Sequence, residues 1–113
     1  MEDYELSKDF YKIGEVAELL EVPPTTLRFW EQEFPACRPR RSASNRRYYS
    51  RENIRQLKIV KFLLKDKGMK IEAARLQMKV NPEVISRQVE VIEQLTSVRN
   101  DLNLLLKSLE KRR

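Results

Sequence analysis

Apolar residues recur with helical spacing along most of the chain, and prolines interrupt the pattern. A first helix is predicted by an apolar face at i, i+3, i+4 and i+7, formed by Ile13, Val16, Ala17 and Leu20. The sequence EVPP ends this helix, because a residue that precedes proline is disfavoured in the α region. Residues 24–34, PTTLRFWEQEF, predict a second helix that ends at Pro35. Two short helices joined by about four residues predict a helix-turn-helix.

The second predicted helix has two different faces. At about 100° per residue, Leu27, Trp30 and Phe34 fall within one third of the circumference, so we expect them in the core. The opposite face is polar with one exposed ring and consists of Thr25, Arg28, Phe29 and Gln32. This face is typical of a helix that enters a DNA groove, although an ordinary solvated face remains the alternative.

Two further helices complete the predicted domain. The third predicted helix follows Ser50 as N-cap, carries apolar residues nearly all round and ends at Gly68. Its sequence is RENIRQLKIVKFLLKDKG. A short fourth helix has Ile71, Ala74 and Met78 on one face. Between the second and third helices, Ser42-Ala43-Ser44-Asn45 predicts a hairpin tip and RRYY a returning strand.

A long amphipathic helix is predicted from Asn81 as N-cap and Pro82 as first residue. Two interlocking seven-residue series form a heptad seam of about 28 residues, or about 40 Å. Its members are Val84, Val91, Val98 and Leu105 in one series and Gln88, Leu95, Leu102 and Leu109 in the other. We favour self-dimerisation over folding back, with the direction of the pair open. Ile85, Ile92 and Leu106 beside the seam are expected to dock on a neighbouring subunit.

The fold class predicted from these patterns is mainly α: a helix-turn-helix domain of four helices with a small β-hairpin, followed by a long C-terminal coiled-coil helix. The predicted divisions are a flexible arm at residues 1–10, a helical domain at residues 11–80 and a dimerisation helix at residues 81–113.

The net charge of the chain comes from one stretch. The whole chain carries 23 Lys and Arg against 17 Asp and Glu, a net charge of +6, and residues 38–55 alone hold seven Arg and one Glu. The rest is therefore neutral. Such a stretch is typical of phosphate binding, and its candidate contacts are Arg40, Arg41, Arg46, Arg47 and Arg51. The alternatives are a solvated loop, RNA, or a membrane surface, for which an adjoining apolar face is missing.

Composition argues against catalysis and metal binding. There is no His, a single Cys and two Gly, so the usual general base, a zinc ligand set and a phosphate-cradling loop are missing. We therefore expect no enzyme activity, no cofactor and no metal. No apolar run approaches the roughly 20 residues that span a bilayer, and a lone Cys37 fits a reducing compartment. A cytoplasmic protein without a membrane partner is expected.

Two segments resemble the N-terminal DNA-binding domain of the MerR family of bacterial transcription regulators. They are YKIGEVAELLEVPPTTLRFWEQEF and NRRYYSRENIRQLKIVKFLLKDKGMKIEAARLQM, which together cover about residues 11–80. The resemblance implies that residues 11–80 form a winged helix-turn-helix DNA-binding domain, in which the hairpin is the wing. The second helix is then a recognition helix, the wing grips the flanking backbone, and a dimerisation helix follows. It also implies DNA contacts, largely to phosphates, at the matching positions Arg28, Arg47 and Tyr49.

The sequence also departs from the family pattern. Phe29 lacks the hydroxyl of the usual tyrosine, and Asn45-Arg46 stands where the pattern has Gly-Tyr. Family members that sense metals, oxidants or drugs carry cysteines or a ligand domain after the dimerisation helix, whereas this sequence ends SLEKRR. We therefore expect no inducer site, and Cys37 is expected to be a bystander.

The predicted function is a homodimeric transcription regulator of double-stranded DNA. Each subunit inserts residues 24–34 into a major groove of an inverted repeat, and the resemblance implies distortion of promoter DNA for RNA polymerase. The place of action is then the bacterial nucleoid. Two alternatives remain open: a recombination-directionality or chromosome-architecture protein that bends DNA, and a coiled-coil adaptor with secondary DNA binding.

Overall fold

The helix-turn-helix is present in the computed structural model, which describes residues 9–41 and 46–112. Helix α1 spans Ile13–Leu20 and α2 spans Pro24–Glu33. The turn begins at Glu21, whose left-handed backbone (φ 57°) lets the amide of the next residue, Val22, donate to the Ala17 carbonyl of α1 at 3.1 Å. Pro23 is extended before Pro24, the first residue of α2. Leu27, Trp30 and Phe34 are buried, as their spacing predicts.

A small antiparallel sheet holds the wing against the body. Strands β1 (Phe10–Tyr11), β2 (Arg40–Arg41) and β3 (Arg47–Ser50) lie in the order β1-β3-β2. The β2–β3 hairpin confirms the predicted wing, while its predicted tip, residues 42–45, lies outside the described residues. Strand β1 overlaps the last residue of the predicted arm at residues 1–10, where Phe10 pairs with Ser50. Residues 1–8 of that arm also lie outside the described part of the chain.

Helix α3 (Arg51–Lys61) is central to the core, and a π-helical turn (Phe62–Asp66) continues it. Its N-terminus is capped reciprocally: the Asn53 amide donates to Ser50 Oγ at 3.1 Å, and the Ser50 amide donates to Asn53 Oδ1 at 2.9 Å. Four residues of this segment are completely buried, namely Ile54, Leu57, Val60 and Leu63. Gly68 ends it with φ +66°, a left-handed conformation that costs glycine little.

The last two helices pack on this core in different ways. In α4 (Ile71–Val80), Ala74 is buried, and Arg75 Nε donates to the Glu33 carbonyl at 2.8 Å, which ties α4 to the end of α2. Helix α5 (Pro82–Lys111) begins at Pro82 as predicted, but the Asn81 side chain makes no capping hydrogen bond. Near its start, Ile85 and Val89 are buried against their own domain. The expected docking of Ile85 on a neighbouring subunit is therefore wrong.

Candidate nucleic-acid interface

The solvent-facing side of α2 carries the four residues that the helical spacing predicted there. Thr25, Arg28, Phe29 and Gln32 are all exposed, whereas Leu27 on the opposite side is completely buried. Phe29 leaves 46% of its surface exposed, which is a high fraction for a phenylalanine on a small domain. The core contacts anchor α2, while this face remains open to solvent.

An open groove lies between the start of α1, helix α2 and the wing. Its volume is about 510 Å³, and it is lined by Lys12, Ile13, Arg28, Arg46, Arg47 and Tyr48. Four of these six residues are lysine or arginine, and they come from three separate parts of the chain. Because a concave surface lined by one sign of charge concentrates its field, the groove attracts anions. Arginine offers a planar pair of donors that matches the oxygens of a phosphate.

The base of the wing is attached to the last turns of α2 through Glu31. The hydroxyl of Tyr49 donates to Glu31 Oε2, and Arg47 Nη1 lies 3.5 Å from Glu31 Oε1. Arg38 Nε also donates to the Glu31 carbonyl at 3.2 Å. Glu31 is the one charged side chain buried in the described core, at 5% exposure. A buried carboxylate needs such partners, because its desolvation is otherwise strongly unfavourable.

Tyr49, for which the resemblance implied a DNA contact, is not among the residues that line the groove. It is completely buried, and its hydroxyl is engaged by Glu31, so the expected contact of Tyr49 with DNA is not supported. Tyr48, the preceding residue, lines the groove instead. Successive side chains of a strand point to opposite faces, so only one of the two tyrosines can face the groove. Burial, followed by the hydrogen bond to Glu31, raises the pKa of Tyr49 above its usual value of 10.0.

The remaining arginine candidates differ in where the structure places them. Arg40 and Arg41 form β2 and pair with Tyr48 and Arg47, respectively. Arg51 Nη2 lies 3.9 Å from Asp9 Oδ1 at the start of α3, and Arg51 is not among the residues that line the groove. Both partners of that ion pair are exposed to solvent, so we expect it to contribute little to stability.

Sequence reasoning missed three residues of this region. Lys12 and Tyr48 line the groove, and Glu31 connects the groove wall to α2. The alternation of side chains along a strand could have separated Tyr48 from Tyr49. Glu31 carried no comparable signal, because an acidic residue near the end of a polar helix is usually solvated.

The heptad positions of α5 form a second candidate surface. Its apolar members are between 52% and 64% exposed, and they are Val84, Val91, Leu95, Val98, Leu102, Leu105 and Leu109. An apolar stripe of this length on one helix exceeds what isolated surface hydrophobics produce. We call this set the α5 seam.

The described residues offer little for other chemistry. Burial, and secondarily the charge of Glu31, raises the pKa of the Cys37 thiol to about 12, so it remains protonated and unreactive at neutral pH. Within residues 9–41 and 46–112, no three His, Cys, Asp or Glu side chains are grouped so that they could hold a metal ion. None of the helices in the same ranges is both long enough and apolar enough to cross a membrane.

The fold and the basic groove together define a winged helix-turn-helix protein of the DNA-binding class. The family described as MerR HTH family regulatory protein matches residues 11–80, and the chain belongs to this family. This membership confirms the family predicted from the sequence and supports a DNA-binding transcription regulator.

Two curated relatives agree with this membership. The HTH-type transcriptional repressor CarA of Myxococcus xanthus is 33% identical over 72 residues, which cover 63% of this chain and 25% of CarA. The HTH-type transcriptional regulator ZntR of Escherichia coli (strain K12) is 29% identical over 75 residues, which cover 65% of this chain and 52% of ZntR. The matched region thus spans about a quarter and about half of the lengths of these relatives.

Proposed function

We propose that this protein is a homodimeric transcription regulator that binds double-stranded DNA at an inverted repeat. In each half-site, α2 lies in the major groove and the wing contacts the flanking backbone. The observation that carries the proposal is the convergence of Lys12, Arg28, Arg46 and Arg47 in one groove beside the exposed face of α2.

The two parts of this surface suit two kinds of contact. Arg28, Arg46 and Arg47 provide cations from the helix and from the wing, and phosphate contacts of this kind orient a protein on the duplex without reading sequence. Thr25, Phe29 and Gln32 lie on the exposed face of α2 and are the candidates for contacts to base edges. Phe29 can contribute only apolar contacts, for example with a thymine methyl group.

Dimerisation is proposed from the change of character along α5. The side of α5 that packs on the domain is apolar at Ile85 and Val89 but polar further along, at Thr96, Asn100 and Asn103. The seam, by contrast, remains apolar as far as Leu109. A helix that served only its own domain would not need apolar residues beyond the contact. A second copy of the helix is the partner that a heptad pattern fits.

The proposal extends to the operator and the promoter. A two-fold symmetric dimer reads a two-fold symmetric site, with half-sites spaced by whole helical turns. Distortion of promoter DNA for RNA polymerase in the cytoplasm follows from the family resemblance and is part of the proposal.

Selection of genomic fragments by the purified protein, at physiological salt with excess competitor DNA, tests this function. The matched control is the Arg28→Ala/Arg46→Ala variant, which removes two cations of the groove and leaves the core unchanged. We expect the wild type to enrich an inverted repeat within promoters. Enrichment without a repeat, or away from promoters, would favour the architectural or adaptor alternatives. Equal enrichment by the variant would exclude the groove as the DNA-binding surface.

A further inference from the structure

Helix α5 is joined to the DNA-binding domain by a partly buried ion pair. Lys58 Nζ of α3 lies 2.7 Å from Glu93 Oε2 of α5, and the two side chains are only 11% and 28% exposed. One turn further along α3, Lys61 Nζ donates to the Leu20 carbonyl at 2.6 Å. Neighbouring lysines of one helix therefore hold both α5 and the end of α1. A charge-assisted hydrogen bond of this length is a short and directional contact.

The ion pair lies where α5 leaves the domain. Ile85 and Val89 are buried about two turns and one turn before Glu93, respectively. Beyond Glu93, the described residues of α5 are exposed except for Ser97, which is half-buried. A cleft of about 450 Å³ runs between the end of α1, α3 and α5, and both Lys58 and Glu93 line it. Because the cleft leaves space beside the helix, apolar packing alone does not define the angle at which α5 departs.

The length of α5 amplifies any change of that angle. Ile85 and Glu93 are about 12 Å apart along the helix, and Ile85 and Leu109 are about 36 Å apart, at 1.5 Å per residue. A sideways shift of about 1 Å at Glu93 therefore becomes roughly 3 Å at Leu109. In a dimer built on the α5 seam, the same angle determines the separation of the two recognition helices. A change of about 3.4 Å in that separation corresponds to one base-pair step of DNA.

We propose that Lys58 and Glu93 are positioning residues that determine which spacing of half-sites the dimer accepts. This inference rests on the proposed function. The pair does not touch DNA; it acts by holding α5 at one angle to the domain. Breaking it leaves the recognition helix and the wing intact but lets the two halves of the dimer adopt several separations. The expected effect is a loss of spacing preference rather than a loss of affinity for each half-site.

The first test measures binding to inverted repeats whose spacer differs from the selected length by one or two base pairs. The single variants are Lys58→Met, which keeps the aliphatic stem of the lysine, and Glu93→Gln. The exchange Lys58→Glu/Glu93→Lys reverses the ion pair, and Lys107→Met on the exposed end of α5 is the control. We expect a wild-type preference of about tenfold per base pair to fall below about threefold in both single variants. The exchange should restore the preference, and affinity for a single half-site should stay within about twofold. Unchanged spacing profiles in both single variants would overturn the inference.

The second test does not depend on DNA binding. Nitroxide labels at Glu18→Cys on α1 and Lys107→Cys on α5 report the angle within one chain when labelled protein is diluted with unlabelled protein. Buried Cys37 should remain unlabelled. We expect one narrow distance distribution, which broadens in Lys58→Met and Glu93→Gln and narrows again in the exchange. Equal widths in all variants would contradict the inference even if no operator were found, whereas failure to bind any inverted repeat would contradict only the proposed function.

Discussion

Glu31 of α2 accepts a hydrogen bond from the hydroxyl of Tyr49 in the wing, and both side chains are buried. The contact joins two elements that the proposed function requires in a constant relation: a helix in the major groove and a wing on the backbone. Arg47, which lies 3.5 Å from Glu31 Oε1, belongs both to this buried network and to the basic groove. The network therefore couples the position of one proposed phosphate ligand to the position of α2.

Replacement of Tyr49 by Phe tests how much the hydrogen bond between Tyr49 and Glu31 contributes to stability. Tyr49→Phe keeps the buried ring but removes the donor, so the carboxylate of Glu31 loses a partner. We expect the free energy of unfolding to fall by about 1–3 kcal/mol, measured by urea denaturation. Tyr48→Phe, on the groove side of the same strand, is the control and should change it by less than about 0.5 kcal/mol. Equal effects of the two changes would show that the hydrogen bond to Glu31 contributes nothing specific.

Stability should decrease at alkaline pH because two buried groups resist ionisation. The pKa of Cys37 is raised from 9.0 to about 12 in the folded protein, and the pKa of Tyr49 is raised above 10.0. When the pKa of a group is higher in the folded than in the unfolded protein, the stability that this group contributes is complete below the unfolded pKa. That stability is lost as the pH rises through the folded pKa. Between pH 9 and 12, Cys37 alone should therefore lower the free energy of unfolding by up to about 1.4 kcal/mol per pH unit.

Urea unfolding between pH 7 and 10.5 in the presence of a reductant measures how steeply the free energy of unfolding falls with pH. The control is Cys37→Ala/Tyr49→Phe, in which both groups are absent but other ionisable residues titrate as before. The variant should be less stable at pH 7 and should lose less stability as the pH rises. Parallel curves for the two proteins would mean that neither buried group contributes to the alkaline decrease.

The helices were predictable because their apolar faces are local signals. Val16 and Leu20 in α1, and Leu27 and Trp30 in α2, are buried as their spacing predicts. Strand β1 was not predictable, since two residues give no periodicity and pairing with β3 depends on the folded domain. The π-helical turn after Lys61 likewise could not be predicted, because apolar residues nearly all round α3 are compatible with more than one helical hydrogen-bonding pattern.

The candidate site was only partly predictable. The exposed face of α2 follows from angles around one helix, which the sequence contains. The groove depends on the relative position of α1, α2 and β3, so Lys12 could not be associated with Arg28 from their positions in the chain alone. The resemblance suggested Tyr49 as a contact, but a sequence pattern does not distinguish a residue needed for DNA from one needed to hold the wing.

Arg46 and Arg47 are adjacent in sequence but should respond differently to replacement. Both line the groove, so Arg46→Ala and Arg47→Ala should each weaken binding to all DNA sequences and reduce the slope of log K against log salt by about 0.9. Arg47 also balances the buried charge of Glu31, so only Arg47→Ala should reduce the free energy of unfolding measurably, by about 1 kcal/mol or more. Binding titrations at several salt concentrations, combined with urea unfolding, separate the two effects. An unchanged salt slope would remove that arginine from the interface.

Charged residues in the α5 seam should separate the dimer into monomers. Leu95→Glu/Leu102→Glu places two carboxylates where the proposed partner helix packs, and unpaired buried charges are strongly unfavourable. The matched control is Leu104→Glu, because Leu104 is 67% exposed and lies about 160° or more around the helix from Leu95 and Leu102. Analytical ultracentrifugation should show monomers for the double variant and dimers for the control. Since a monomer contacts one half-site at a time, the double variant should also lose its preference for inverted repeats over single half-sites. A dimer that survives both substitutions would disprove the assignment of the α5 seam as the dimer interface.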